Sequence, residues 1–233
     1  MTDPERPARN ELDPGGKEPF QLFHPASGCS LCTKLVKSRT RIVYSSGPRQ
    51  ADIMMIGEAP GFNEDREGLP FVGRAGKELG TMLAEAGLSR SELHVANRVM
   101  CHPEGNRDPE PLELQNCEPW LVEHIRSVEP RAIVVFGRHA SSFFFQKDKV
   151  FETEGLMWTD YCPSCGWTPA HEQHVHRRAE NGQWFNTSPC PPAWRILVAS
   201  IYHPASALPN RYPENRAKII NQLRRVKREL ELT

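Results

Sequence analysis

Short apolar runs alternate with amphipathic segments along most of the chain. Four runs have the length of a buried strand, and each is followed by a segment whose apolar residues have helical spacing. The predicted strands cover residues 51–56, 93–99, 132–136 and 195–201. The predicted helices cover residues 75–86, 111–127, 138–145 and 213–230. This alternation predicts an α/β sandwich built around a mainly parallel four-stranded sheet.

Two stretches fall outside the alternation. Residues 1–20 combine proline, glycine and charge with little to bury, so we expect a mobile tail ahead of a single domain at residues 21–233. Residues 147–194 have no clean periodicity and are too long for a plain loop. We interpret them as an insertion attached to the sheet.

The composition excludes several classes of protein. With 38% apolar and 25% charged residues, the 233-residue chain is globular rather than wholly disordered. It has no apolar run of the roughly 18–20 residues that span a bilayer and no visible secretory signal, so we expect a cytoplasmic protein without membrane contact. Its 29 basic and 29 acidic residues cancel, and contact with nucleic acid therefore requires a local patch.

Two basic groups are candidates for such a patch. They lie within residues 34–41 and residues 211–228. Phosphate contacts position a protein on DNA without reading its sequence. A charged stripe opposite an apolar helix face is more often the solvated side of the helix, and we favour that interpretation here.

The glycine-rich segment at residues 57–73 is the first candidate binding site. In a parallel α/β sheet, ligands bind beyond the carboxyl ends of the strands, and this segment directly follows the first predicted strand. Its glycines allow backbone N–H groups to approach a phosphate or a base closely. The alternative is an ordinary loop between a strand and a helix.

The YHPAS segment at residues 202–206 is the second candidate site. His203 follows the last predicted strand, where it can donate to an anionic leaving group. Pro204, Ala205 and Ser206 would allow a tight loop to press on a DNA backbone. The alternative is a histidine with a purely structural role.

Cysteine usage indicates metal or redox chemistry more than disulfide bonds, because seven cysteines occur without an export signal. Two pairs, Cys29 with Cys32 and Cys101 with Cys117, would form a four-thiolate site if the fold brings them together. Such a site suits zinc or an iron–sulfur cluster equally well, and the spacing does not choose between them. Buried thiols without a ligand are the alternative.

Five separated motifs connect these segments to a known family. They are GEAPGxxED from Gly57, GLPFVGxAG from Gly68, the Asn97-x3-Cys101-HPEGNRDP loop, Cys117-x2-Trp-Leu, and YHPAS. They occur in the order found in the uracil-DNA glycosylase superfamily. The chain resembles the iron–sulfur branch of that superfamily, family 4, over residues 29–221 apart from the insertion.

The resemblance implies a three-layer αβα fold and a base-flipping enzyme that hydrolyses N-glycosidic bonds. By position, Glu58 and the backbone of Ala59 match the loop that positions the attacking water, and His203 matches the residue that stabilises the departing base. Phe71 matches the aromatic residue that stacks on the flipped base, and Asn97 matches the amide that reads the pyrimidine edge. The resemblance also implies a structural [4Fe-4S] cluster on Cys29, Cys32, Cys101 and Cys117.

Three features depart from the family. Leu69 stands where many members carry an arginine, which removes a charge near the substrate. Ala207 stands where a larger apolar residue often fills the space of the flipped nucleotide, so Leu208 or Tyr212 would have to take its place as a DNA contact. The loop after the second strand lacks the basic, histidine-containing motif with which some relatives trap DNA, so we expect no covalent capture.

The insertion at residues 147–194 is the largest departure. We expect Cys162 and Cys165 to form a zinc site, completed by two of four further candidates: His171, His174, His176 and Cys190. The alternative is a flexible flap with free thiols. In either form the insertion precedes the strand that leads to His203, from where it could reach DNA or cover the base pocket.

Uracil in DNA is the first expectation for the substrate. Because no lysine is placed at the motifs, we expect a monofunctional glycosylase that leaves an abasic site. We also expect a monomer. A bulky modified cytosine of phage DNA, such as glucosylated hydroxymethylcytosine, is an alternative that would make this an anti-phage defence enzyme, since the Asn97 amide can present a donor or an acceptor. A non-catalytic DNA-binding module is a second alternative. The presence of Glu58, Phe71, Asn97 and His203 favours an enzyme.

Overall fold

A five-stranded sheet in the order β2-β1-β3-β7-β4 forms the centre of the protein. The computed structural model describes residues 28–145, 156–161, 177–178, 184–185 and 194–232. The strands of the sheet are β1 (Ile53–Gly57), β2 (Leu93–Asn97), β3 (Ala132–Phe136), β4 (Leu156–Tyr161) and β7 (Trp194–Ile201). A separate antiparallel pair consists of β5 (Arg177–Arg178) and β6 (Trp184–Phe185).

Six helices accompany the strands in the described part of the chain. They are α1 (Thr33–Ser38), α2 (Phe62–Glu67), α3 (Arg74–Ala86), α4 (Pro111–Val128), α5 (Gly137–Ser141) and α6 (Glu214–Glu229). None of the described helices is both long enough and apolar enough to cross a membrane.

The four predicted strands are parallel neighbours, which confirms the mainly parallel sheet. The fifth strand, β4, lies within the insertion and pairs antiparallel with β7 at the edge of the sheet. Sequence periodicity missed β4 because LMWTDY follows no clean alternation. Its placement depends on pairing with β7, which sequence patterns alone do not reveal.

Alternate residues of β1 point to opposite faces of the sheet, and each face carries its own core. Ile53 and Met55 belong to the core formed with α3 and α6, whereas Met54 and Ile56 belong to the core formed with α4 and α5. All five residues of β1 are buried, as expected for a strand covered by helices on both sides. The predicted three-layer αβα arrangement is therefore confirmed.

Helix boundaries follow local signals closely where such signals exist. Helix α3 ends at Gly87, whose φ of 75° is left-handed and whose N–H bonds the last carbonyls of the helix. Helix α4 begins with Pro111 and a reciprocal capping box between Glu110 and Glu113. These signals account for the agreement between the predicted and observed ends of both helices.

Two local expectations were wrong. The segment 57–73, predicted as a loop, contains α2, which is held by a capping arrangement between Gly61 and Glu64. The helix predicted at residues 138–145 ends at Ser141 and continues as turns. Those turns bury Phe143 and Phe144 in the core, so packing and not helical periodicity determines their positions.

Candidate active site

Strand register brings the predicted site residues to one edge of the sheet. Gly57 at the end of β1 pairs with Asn97 at the end of β2, and Phe136 pairs with Ile201 at the ends of β3 and β7. Because all four strands are parallel, the segments that leave them meet at the same edge. Glu58 directly follows β1, and His203 lies two residues after the end of β7. Both residues face the same cavity.

A cavity of about 550 Å³ opens at this edge. That volume lies in the range of small-ligand sites, about 300–1,000 Å³. Seven residues predicted to act in catalysis, base binding or DNA contact line it: Glu58, Ala59, Phe71, Asn97, His203, Ala205 and Leu208. Two other predicted DNA contacts lie beside it and stabilise the turn, because Pro204 is buried and the Ser206 hydroxyl donates to the His203 carbonyl over 2.8 Å.

Phe71 is held in an unusual backbone conformation at the wall of the cavity. Its φ of 59° is left-handed, which is strained for a residue with a large side chain. Its ring lies 5.8 Å from the ring of Phe136 and 6.5 Å from that of His203, the latter at an interplanar angle of 27°. A flat surface of this kind suits stacking with a planar base.

Gly57 leaves the room that lets Phe71 and Asn97 lie close together in the lining of the cavity. A Cβ on Gly57 would lie 2.4 Å from Asn97 Oδ1 and 2.6 Å from Phe71 Cζ. Both distances are shorter than any real carbon contact, so only glycine fits here. The backbone after Gly57 is also fixed, because Val99 N–H donates to the carbonyl of Glu58 over 3.0 Å.

The surroundings of His203 keep its imidazole neutral. Burial lowers the pKa of His203 to about 4, although the nearby Glu64 carboxylate opposes this effect. Nδ1 accepts a hydrogen bond from the Ala205 N–H over 3.2 Å, so the proton of the neutral ring lies on Nε2. His203 can therefore present a neutral N–H donor to a group that gains negative charge.

Glu58 is half-buried and lines the same cavity. Burial raises the pKa of its carboxyl group, and the negative charge of Asp108 adds to that effect, whereas His139 and Arg138 lower it. A carboxylate whose pKa is moved toward neutrality is suited to exchange a proton with water.

Glu64 was not among the predicted site residues, yet it fastens the loop around the cavity. Its carboxylate accepts from the Gly61 N–H over 3.1 Å and from the Gly73 N–H over 2.8 Å. An acidic residue three positions after the residue that caps the start of a helix is a known capping signal. In the GEAPGxxED motif, this signal could have identified Glu64.

The four cysteines of the two predicted pairs converge beside this loop. Cys101 and Cys117 are buried, Cys29 and Cys32 are half-buried, and none forms a disulfide. Cys101 and Cys117 pack with Leu35 and Val99, and Ala59 of the cavity packs against the same cluster. The cysteine site therefore lies directly beside the loop that carries Ala59.

The donor set around these sulfurs fits a thiolate-bound metal group. Arg39 Nη1 donates to Cys101 Sγ over 3.0 Å, and Asn116 Nδ2 donates to Cys32 Sγ over 3.4 Å. Without a metal, burial raises the pKa of the Cys117 thiol to about 12, so a bound cation is needed to hold it as a thiolate.

Comparisons with known proteins agree with this geometry. The family model of the uracil DNA glycosylase superfamily matches residues 44–224. The chain belongs to this superfamily. The sequence resemblance and the expected enzyme class, the DNA N-glycosylases, are thereby confirmed.

Several of the relatives found are named type-4 uracil-DNA glycosylases, which supports the family 4 assignment. The protein of Saccharolobus solfataricus is 37% identical, over 87% of this chain and 82% of its own. That of Sulfurisphaera tokodaii is also 37% identical, over 88% of this chain and 81% of its own. That of Archaeoglobus fulgidus is 41% identical over 54% of this chain and 69% of its own.

Features that depart from the superfamily pattern are also visible. Leu69 is 39% exposed, Tyr212 is 60% exposed, and Ala207 is buried in the core below the His203 turn. Of the two residues considered as substitutes for a wedge, Leu208 lines the cavity.

Two basic residues near α6 differ in their surroundings. Arg216 binds Glu78 over 2.8 Å and also pairs with Glu85, so it joins α6 to α3. Arg211 precedes the helix and lines the cavity. Arg216 is therefore engaged within the fold, whereas Arg211 lies at the cavity.

The predicted zinc ligands lie outside the described residues, as does the predicted tail at residues 1–20. These ligands are Cys162, Cys165, His171, His174, His176 and Cys190. The zinc site therefore stays a prediction.

Proposed function

We propose that this protein is a monofunctional DNA glycosylase that flips uracil out of DNA, hydrolyses its N-glycosidic bond and leaves an abasic site. One observation carries the proposal. A single cavity at the carboxyl edge of the sheet is lined by a carboxylate, an aromatic ring, an amide and a neutral histidine: Glu58, Phe71, Asn97 and His203. The type-4 relatives support uracil as the base.

Base flipping is required because the bond to be cleaved is unreachable inside a duplex. The flipped uracil would enter the cavity, stack on the ring of Phe71 and meet the amide of Asn97 at its edge. Asn97 is buried, with 5% of its surface exposed. Its position is fixed because β2 pairs with β1. An amide fixed in this way can read a pyrimidine by hydrogen bonding.

Hydrolysis breaks the C1′–N1 bond, and the bonding electrons leave with the pyrimidine. Positive charge develops on the sugar and negative charge on the base. The N–H at Nε2 of His203 would stabilise the departing base, and its neutral state fits a hydrogen-bond donor rather than an acid. Water then adds to C1′, positioned by the Ala59 backbone, and its proton passes to the Glu58 carboxylate.

The absence of a nucleophilic amine supports a monofunctional reaction. No lysine is among the described residues that line the cavity. An imine with the sugar, which lyase activity needs, would therefore have no donor. Trapping of an enzyme–DNA adduct with borohydride would contradict this part of the proposal.

Contact with DNA would come from the edge of the cavity. Ala205 and Leu208 line it next to the turn that begins at His203, and Arg211 follows them. Leu208 would fill the space left by the flipped nucleotide, in place of a larger residue at Ala207. Pro204 and Ser206 would keep this turn in the shape that approaches the DNA backbone.

We propose a [4Fe-4S] cluster as the ligand of Cys29, Cys32, Cys101 and Cys117. Such a cluster supplies covalent cross-links between the segment before α1 and the loop after β2, and hydrolysis needs no redox step. Arg39 supports this site from the protein side, because it also donates to the carbonyl of Cys29 over 2.7 Å. Asp65 extends the connection by accepting from the Thr40 N–H over 2.8 Å.

The test compares substrates side by side. The protein is incubated with uracil-containing oligonucleotides and, separately, with phage DNA that carries glucosylated hydroxymethylcytosine. Abasic sites are counted by alkaline cleavage, and the released base is identified by mass spectrometry. Release of uracil supports the proposal, and release of only the modified base would replace uracil repair with phage defence. Release of neither base by a protein that binds both DNAs would favour a binding module.

A further inference from the structure

Phe62 is an exposed aromatic residue at the opening of the cavity. It lines the cavity, yet it is 61% exposed to solvent. Phe71, the other phenylalanine that lines the cavity, is half-buried and packs against the core beneath the sheet. Phe71 therefore lies at the inner wall of the cavity, whereas Phe62 lies where the cavity meets solvent.

Helix α2 holds the backbone of Phe62 in place. Phe62 is the first residue of this helix. Asp65, on the inner side of the helix, is 3% exposed, and its carboxylate accepts from the Thr40 N–H over 2.8 Å. The Glu64 carboxylate binds the helix to Gly73 over 2.8 Å. Because these contacts fix the helix, Phe62 is presented on a rigid element and not on a free loop.

Arg66 restrains the ring of Phe62. Its guanidinium carbon lies 5.7 Å from the centre of that ring, a cation–π distance. Residues four positions apart share one face of a helix, and both of these are exposed. Arg66 lies over one face of the ring, so the other face is left for a planar partner. The positive charge beside that ring suits a partner with a phosphate backbone.

Flipping a nucleotide creates a planar partner at this position. When the nucleotide leaves the duplex, the base beside it loses a stacking neighbour on one face. An aromatic side chain can replace that neighbour, because every base has a π-face whatever its sequence. Phe71 lies at the depth of the flipped base, and Phe62 lies at the level of the bases that stay behind.

We propose that Phe62 stacks on a base next to the flipped nucleotide and thereby stabilises the opened DNA. The inference rests on the base flipping of the proposed function. Leu208 does not replace this contact, because it comes from the segment after β7, whereas Phe62 comes from the segment after β1, and β3 lies between those strands. A flipped nucleotide has two neighbours, and the two side chains reach them from different segments.

The test removes the ring and the base, separately and together. An oligonucleotide with an uncleavable uracil analogue carries a tetrahydrofuran residue, which has no base, on the 5′ side or on the 3′ side of the analogue. Binding to the wild type and to Phe62→Ala is measured by fluorescence anisotropy at one salt concentration. Phe62→Ala should weaken binding of the complete oligonucleotide by about 5–150-fold. The loss should be much smaller on the oligonucleotide that lacks the stacked base, because the deleted ring then has no partner.

Two further variants separate stacking from a simple apolar contact. Phe62→Leu keeps an apolar side chain without a flat ring and should lose most of the affinity, whereas Phe62→Trp should keep it. Leu112→Ala is the matched control, because Leu112 is 62% exposed on α4 and is not among the described residues that line the cavity. It should bind all three oligonucleotides like the wild type. Thermal melts check that each variant is folded.

An equal effect of Phe62→Ala on all three oligonucleotides, or no effect on any, would overturn the inference. If the effect depends on the neighbouring base but cleavable DNA releases no uracil, the inference stands and the proposed hydrolysis fails. If uracil is released and the effect does not depend on that base, the proposed function stands without this contact. A wild-type protein that binds none of the oligonucleotides would contradict both.

Discussion

The backbone N–H of Ala205 donates to Nδ1 of His203 over 3.2 Å, and this bond decides which nitrogen of His203 faces the cavity with its proton. The bond closes the 3₁₀ turn at Pro204–Ala207. Because burial also lowers the pKa of His203 to about 4, the ring stays neutral at physiological pH. The same residue therefore caps the turn and presents a neutral N–H to the cavity.

His203→Ala should slow uracil release by about 10²–10³-fold, because one donor to a developing anion contributes about 2.7–4 kcal/mol to the transition state. Binding of DNA that contains an uncleavable uracil analogue should change little, since the donor acts mainly in the transition state. Single-turnover kinetics and fluorescence anisotropy measure the two quantities. Turnover like that of the wild type would remove His203 from the mechanism.

The pH dependence of wild-type activity should report Glu58 and not His203. His203 loses its neutral form only as the pH falls toward about 4. Burial raises the pKa of Glu58, so activity should decline on acidification through the titration of Glu58, before His203 becomes charged. A rate profile for Glu58→Gln without that acid limb would be the expected result. An unchanged limb in this variant would assign it to another group.

Gly57→Ala should abolish base binding without unfolding the protein. The added methyl group would meet Asn97 Oδ1 at 2.4 Å and Phe71 Cζ at 2.6 Å, so both base contacts must move. Gly80→Ala is the matched control, because its Cβ would meet nothing within 4 Å. In the interior of α3 it should increase stability by about 0.5–1 kcal/mol and leave activity intact. Uracil release and thermal melts of both variants provide the comparison.

Much of the fold could be predicted because its strands and helices carry local signals. Strand β3 was predicted with its observed bounds, since five consecutive apolar residues fill a position buried on both faces. Five apolar residues with helical spacing in the predicted closing helix, residues 213–230, are all buried: Ile219, Ile220, Leu223, Val226 and Leu230. Strand β4 could not be predicted in this way, because its formation depends on pairing with β7.

For the candidate site, only the residues that belong to recognisable motifs could be predicted from the sequence. Phe71 and Asn97, which belong to two motifs and are 26 positions apart, both line the cavity, because parallel register returns the chain to one edge. His139 carries no local signal. Its relation to Asp108 arises from the packing of α5 against the loop after β2, and only the three-dimensional structure reveals it.

Glu64→Gln should weaken both activity and stability. The carboxylate accepts two backbone N–H groups, from Gly61 and Gly73, and an amide can satisfy only one of them well. The unsatisfied donor costs about 1–3 kcal/mol. Glu67→Gln on the same helix is exposed and should behave like the wild type in melting and uracil release. Equal behaviour of the two variants would contradict the role of Glu64.

Purified protein should be brown, with an absorption band that bleaches on reduction and about four irons per chain. Cys117→Ser should lose the colour and melt about 2–8 °C lower, the shift expected for 1–2 kcal/mol in a domain of this size. Iron analysis and thermal melts check both statements. A colourless protein with one zinc per chain and no iron would contradict the cluster.

Arg211 and Arg216 allow the DNA contact to be separated from net charge. Arg211 lines the cavity, so Arg211→Ala should weaken DNA binding and reduce the slope of log affinity against log salt by about one. Arg216→Ala removes the same charge five residues later, but its guanidinium is engaged by Glu78 and Glu85. It should leave the salt slope unchanged and destabilise the fold by no more than about 1 kcal/mol, as for other exposed ion pairs. Equal salt slopes for the two variants would show that DNA senses the overall charge of this region and not the edge of the cavity.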